Sequence, residues 1–253
     1  MIKGFYSAVS AMVANANRQQ VLAHNAANMD TPGFKQVLSS FDEFWKTPVV
    51  FPPGNLQNLS AMTYSGMLGL GVENAPEISD FTQGALQLTG NMFDLALEGE
   101  GFFRIETEAG ERYTRDGRFI RDAEGQLVTV DGNYVLDENG NHITLPNGQI
   151  LIDQNGQVLS EDNLIAQIGM VIFENPAEEL TPDEGNLFEA AAAATGEGSP
   201  QVLQGYLEMS NVNPTQLMTQ LVEVARTYEA AQKMVQNQDE LTGKAISTLG
   251  RIG

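Results

Sequence analysis

The sequence predicts an α+β protein in which long N- and C-terminal helices pair as a coiled coil, with a central antiparallel all-β domain of short hairpins between them. Three observations predict it. Apolar residues repeat every 3.5 positions at both ends of the chain, Asn-Gly and Asp-Gly turn signals recur through the middle, and charge falls into three blocks.

The chain has 253 residues, enough for a sizeable core and one or two domains. Hydrophobic residues make up 42% of it, which sets it apart from disordered chains that cannot bury enough apolar surface. Net charge is −20, which argues against a nucleic-acid partner, because phosphate-neutralising surfaces need clustered Lys and Arg. Residues 1–35 hold Lys3, Arg18 and Lys35 against Asp30, and residues 213–253 hold four bases and four acids. Taking that +2 and that zero from −20 leaves −22 on the residues between, so two near-neutral ends flank an acidic body. There is no cysteine, so disulfides, a thiol nucleophile and thiolate metal sites are excluded. No apolar run reaches the roughly 18 residues of a membrane span. The first 20 residues are too polar after Val13 for a cleaved secretory signal.

The first element is a helix within residues 1–35. Alternating steps of four and three place Ile2, Tyr6, Val9, Val13, Ala16, Gln20, Ala23 and Ala27 on one stripe, with Gln20 the only polar member. The helix runs out in "AHNAANMDTPGFK", residues 23–35, where Asn25 and Asn28 sit although asparagine competes for backbone hydrogen bonds. Pro32 and Gly33 are expected to stop the helix and turn the chain, and Phe34 to anchor the turn by packing.

Residues 36–75 read as an extended connector, since "KTPVVFPPGNLQNLS" (46–60) is rich in Pro, Gly and Asn. Residues 76–205 read as the β domain. Turn signals such as "VDGN", "ENGNH", "PNGQ" and "QNGQ" separate apolar, partly β-branched segments such as "LVTV", "YVL" and "QILI". The segment 189–200, "EAAAAATGEGSP", is a low-complexity turn region. Residues 206–253 carry the second helix, with Asn213 as its cap and Pro214 at its first position. Its stripe is Leu217, Leu221, Val224, Tyr228, Ala231, Val235, Gln238, Thr242, Ala245 and Leu249. Stripes this narrow suit helix-to-helix assembly better than burial in a domain core.

Nothing in the sequence assembles into a catalytic, metal or cofactor site. "DENGNH" (137–142) breaks calcium-loop spacing and lies between strands, so it reads as a hairpin turn. His24 and His142 lie in unlike contexts with no nucleophile signature around them. Arg112, Arg115, Arg118 and Arg121 recur every third residue with acids interleaved, which reads as a surface ion-pair lattice. "GEGFF" (99–103) precedes a strand and is no phosphate cradle.

"NAANMDTPGFK" resembles the asparagine-rich signature that closes the first helix of the flagellar axial proteins. "FTQGALQLTGNMFDLALEGEGFFRI", "YTRDGRFIRDAEGQLVT" and "GYLEMSNVNPTQLMTQLVEVARTYEAAQK" resemble the rod branch of that family in order and spacing. The resemblance implies a structural subunit of the basal-body rod, with no enzymatic activity, no cofactor and no small-molecule substrate. It further implies terminal helices paired into an inner coiled-coil domain, the β domain outside, and helical stacking of copies into a hollow drive shaft. Implied partners are other copies, other rod proteins, the hook and surrounding ring proteins. Implied location is the basal body in the cell envelope, reached by type III export without cleavage. The stretch between "GFK" and "GLGVE" resembles distal rod subunits, while "DELTGKAISTLGRIG" resembles proximal ones. From another class, an envelope peptidoglycan hydrolase would need a carboxylate pair in a cleft. Replacing Gly33 by Val is expected to block incorporation and to leave the β region folded.

Overall fold

A computed structural model describes residues 2–51, 63–161, 163–191 and 200–249. Two compact units emerge from a chain that passes repeatedly between them. One comprises residues 1–24, 37–78 and 214–253, and the other residues 25–36 and 79–213.

The first unit is built from both terminal helices and one long hairpin. The N-terminal helix is Ile2–Ala27 and the C-terminal helix is Pro214–Leu249, lengths of about 39 Å and 54 Å at the α-helical rise. The second helix starts on Pro214, where the missing N–H breaks no helical bond. A Cβ placed on Gly4 would lie 3.4 Å from Gln238 Nε2, so the beginning of the first helix runs beside the later part of the second.

The stretch read as a connector carries strands Phe41–Phe51 and Thr63–Asn74, paired antiparallel with Phe41 opposite Asn74 and Phe51 opposite Thr63. Its Pro and Gly do not abolish the pairing, since a register shift between Val49 and Val50 follows Pro48 on a two-stranded ribbon. The N-terminal helix lies on this ribbon. Ser10 Oγ accepts from the Val72 N–H at 3.3 Å, and the Arg18 guanidinium stands 5.7 Å from the Phe41 ring centre. Gly71 permits the approach, since a Cβ there would fall 2.5 Å from Ser10 Oγ. Residues 52–60 of the 46–60 segment and 192–199 of the 189–200 segment lie outside the described residues.

Among the described residues of the second unit the regular structure is β, apart from a short helical turn at Pro176–Glu179, a 3-10 turn at Glu184–Asn186 and the end of the N-terminal helix. Its largest sheet is antiparallel, in the order Leu180–Pro182, Phe188–Ala190, Gly110–Thr114, Phe102–Thr107, Tyr134–Val135, Leu127–Thr129, Phe119–Arg121. The central strand Phe102–Thr107 is buried on both faces, which explains the consecutive aromatics of "GFFRI". Phe103 and Ile105 enter a core with Leu95, Leu97, Phe119, Leu127 and Val135. Phe102 points the other way, into edge-to-face contacts with Phe81, Phe173 and Phe188.

The hairpin reading of "DENGNH" describes what is seen. Leu136 bridges His142 across the turn, Asp137 Oδ1 accepts from the Asn139 and Asn141 N–H groups, and Gly140 takes φ +81°. These bonds, that from Asn141 first, hold the Asp137 carboxyl below its ordinary range.

Candidate functional site

The helix-end motif is built into the β unit. After the helix ends at Ala27 the chain descends through successive turns: Asn28 N–H to Asn25 O at 3.3 Å, Thr31 N–H to Asn28 O at 3.2 Å, and Phe34 N–H to Thr31 O at 3.3 Å. Thr31 Oγ1 also donates to Asn28 Oδ1 at 3.2 Å. Asn25 is completely buried and Phe34 nearly so. The Pro32 carbonyl accepts from Asn186 Nδ2 at 3.0 Å, and the Gly33 N–H donates to the Glu208 carbonyl at 2.7 Å.

Gly33 is required twice over. Its φ is +70°, and a Cβ would fall 2.3 Å from Asp116 N and 2.4 Å from Arg115 C. Those atoms belong to the β unit, so a side chain at this position would press on the backbone of the β unit itself.

Two residues beyond Gly33 lies a feature that sequence reasoning missed. Lys35 Nζ donates to Glu208 Oε1 at 2.7 Å, to the Thr82 carbonyl at 2.8 Å and to the Phe81 carbonyl at 3.4 Å. Glu208 Oε1 also accepts from the Gly84 N–H at 2.8 Å, and Oε2 accepts from Arg115 Nη1 at 3.2 Å. Arg115 Nη2 donates to the Gly99 carbonyl at 2.9 Å, and its guanidinium stands 5.1 Å from the Phe102 ring centre. All three charged side chains are almost fully buried. Burial pulls Lys35 and Arg115 below their ordinary values, and Glu208 only partly opposes this.

Arg115 therefore leaves the predicted surface lattice, because its side chain points inward. Its neighbours stay near the surface: Arg112 pairs with Asp183 at 2.7 Å and Arg118 with Asp116 at 2.6 Å. Lys35 was visible as the last residue of the motif and Glu208 as part of "GYLEMSN". Nothing local joined them across 173 positions.

The two helices treat their stripes differently. On the C-terminal helix, Leu217 and Val224 are 2% and 1% exposed, and Leu221, Tyr228, Ala231 and Val235 are half-buried. On the N-terminal helix, Tyr6 is 64% and Val13 55% exposed, Ala16 is exposed, and Val9 is half-buried. Ile2 begins that helix. The covered face of the N-terminal helix is another one, with Ala8, Ala14, Asn15, Val21, Leu22 and Asn25.

A shallow depression on the β unit is lined by Thr107, Glu108, Asp131, Asp183 and Glu184. The Arg112 guanidinium holds the Asp183 carboxyl below its ordinary range, opposite to what a proton-donating acid needs. Among the described residues, no group of three or more His, Asp or Glu is placed to hold a metal ion. No described helix is long and apolar enough to cross a membrane.

Three family models match in chain order: the flagella basal body rod protein model over residues 5–35, the flagellar hook protein FlgE/F/G D1 domain over 96–160, and the flagellar basal body rod FlgEFG protein C-terminal model over 203–248. The chain is similar to the flagellar basal-body rod protein FlgF of Caulobacter vibrioides, 34% identical with both chains covered completely. It is also similar to the flagellar basal-body rod protein FlgG of Agrobacterium fabrum, 34% identical over 92% of this chain and 94% of the relative. FlgG of Bacillus subtilis is 31% identical over 98% of this chain and 99% of the relative. With end-to-end likeness at this level, and with the motif, the β unit and the C-terminal helix each matched in place, this chain belongs to the flagellar basal-body rod protein family.

Proposed function

We propose that the chain is a structural, non-enzymatic subunit of the flagellar rod whose terminal helices pack against those of neighbouring copies in a helically stacked, hollow shaft. The observation that carries the reading is the open stripe of the N-terminal helix. Tyr6, Val13 and Ala16 leave apolar surface in water on a long element, while the β unit beside it in sequence closes its own core. Covering such a stripe in an assembly removes that surface from water, at about 25 cal/mol per Å². Small residues at Ala16, Ala23 and Ala27 let helices approach closely, as coiled-coil pairing requires.

The same reading places the protein in the cell envelope, exported through the type III apparatus without signal cleavage, with other rod proteins, the hook and encircling ring proteins as neighbours. Within the rod we assign it to the distal segment. The support is the 36–75 stretch, whose long ribbon would stiffen the shaft beside the helices.

Electron microscopy of basal bodies from a strain lacking this gene, with a swimming assay alongside, tests both parts. The expected result is a non-motile strain with rods that stop short, late in the rod for a distal subunit and early for a proximal one. Motile cells with intact rods would overturn the structural reading.

A further inference from the structure

The buried Lys35–Glu208–Arg115 cluster lies where the chain is least free to choose its own geometry. The polypeptide passes between the two units at residues 24/25, 36/37, 78/79 and 213/214. The segments next to these passages, inside the β unit, are residues 25–36, 79–84 and 208–213. Hydrogen bonds from one compact set of groups gather all three.

Lys35 joins the first segment to the second through the carbonyls of Phe81 and Thr82, and to the third through Glu208. Glu208 returns to the second through Gly84, and its carbonyl accepts the Gly33 N–H. Asn211 continues the pattern. Its Oδ1 accepts the Gln36 N–H at 2.7 Å, and its Nδ2 donates to the Asp80 carbonyl at 2.8 Å and the Thr82 carbonyl at 3.1 Å. The Asp80 N–H closes the circuit on the Gln36 carbonyl at 2.8 Å.

A hydrophobic plug could join three backbone segments too, but it would tolerate sliding by one residue. A carboxylate reached by an ammonium, a guanidinium and a backbone N–H has one arrangement that satisfies every partner. In stability terms such a cluster gives little, because desolvating three charges offsets most of their attraction. The downward displacement of Lys35 and Arg115 agrees with a cluster that does not repay its own burial.

We propose that Lys35, Glu208 and Arg115 act as positioning residues that fix the register of the three β-unit segments adjoining the helical unit, and that this, rather than net stability, is their contribution. The inference concerns the single chain, so its failure and the failure of the rod assignment are separate events.

The test compares the purified full-length chain with two variants. Lys35→Met/Arg115→Met/Glu208→Gln removes all three charges together, so that no buried charge is left without its partner. Glu208→Asp keeps the charge and shortens its reach by one methylene. The readout is hydrogen exchange at the Gly33, Gln36 and Asp80 amides, none of which bonds to the altered side chains, beside the denaturant midpoint. Expected for both variants is exchange at these amides faster by at least about tenfold, with amides of the Phe103 strand unchanged, and for the triple variant a midpoint close to that of the parent chain. Parental exchange at the three amides in either folded variant would overturn the proposal. A triple variant that no longer folds would also overturn it, by making the cluster a source of stability.

Discussion

The β unit and the helical unit share one polypeptide but handle apolar surface in opposite ways. In the β unit Phe103, Ile105, Leu95 and Val135 are sealed from water, and the strand carrying Phe102 and Phe103 feeds a core on each face. In the helical unit Tyr6, Val13, Met218, Val222, Met234 and Ile246 remain exposed on the helices. The β unit closes a core on both faces of its central strand, whereas the helical unit leaves apolar side chains in water along both of its helices. On the proposed function, that second surface is what an assembly would cover.

The sharpest way to break the contrast is to empty the β core. Phe103→Ala should cost about 3–5 kcal/mol of unfolding free energy in the free chain, read from denaturant titration. A loss no larger than that of a surface substitution would mean the β unit is not the self-sufficient part. Next comes Gly33→Val, expected to cost about 2–4 kcal/mol, because a left-handed backbone and a contact with Asp116 are violated together. Circular dichroism and exchange should report this loss within the β unit, and an unperturbed β unit would refute the placement of the motif there.

A subtler probe is alkaline titration. Burial, aided by Glu111, pushes the Tyr113 hydroxyl up to about 12 from 10.0. A raised acid is stable in its neutral form, so its contribution is complete below pH 10 and is lost as pH climbs toward 12. Tyrosinate absorbance should show one late-titrating tyrosine whose ionisation accompanies unfolding. If every tyrosine instead titrates near its ordinary value without unfolding, the edge-to-face packing of Tyr113 on Phe173, 5.1 Å between ring centres, is looser than the structure shows.

The smallest effect on the free chain belongs to Val13→Ser, within about 0.5 kcal/mol, since the side chain is already in water. In cells the same change should weaken swimming and shorten rods. Unchanged motility would remove the stripe from the assembly interface.

The residues show what made parts of this molecule legible. The C-terminal stripe could be read because Leu217, Leu221, Val224 and Tyr228 owe their burial to a period that local sequence displays. Turns could be read at Gly140 because a positive φ selects its residue type. The N-terminal helix was harder, since it has two candidate faces, and composition favoured Tyr6 and Val13 over the alanines and asparagines that are covered in the single chain. Lys35 and Glu208 could not be paired from sequence, because 33 acidic residues offer too many partners and only the fold selects one. Arg115 escapes the reading of a surface array from its spacing of three, because the bend that follows strand Gly110–Thr114 turns that one side chain inward onto Phe102.

The order in which the units are threaded has a consequence for manufacture. The helical unit draws on residues 1–24, 37–78 and 214–253, whereas the β unit is complete by residue 213. A chain made or delivered from its N-terminus therefore holds everything the β body needs before the last helix exists. Partners such as Gln238 for Gly4 arrive only at the end. The helical unit is thus closed only by residues that follow the complete β body, and until they arrive the N-terminal helix lacks its neighbour within that unit.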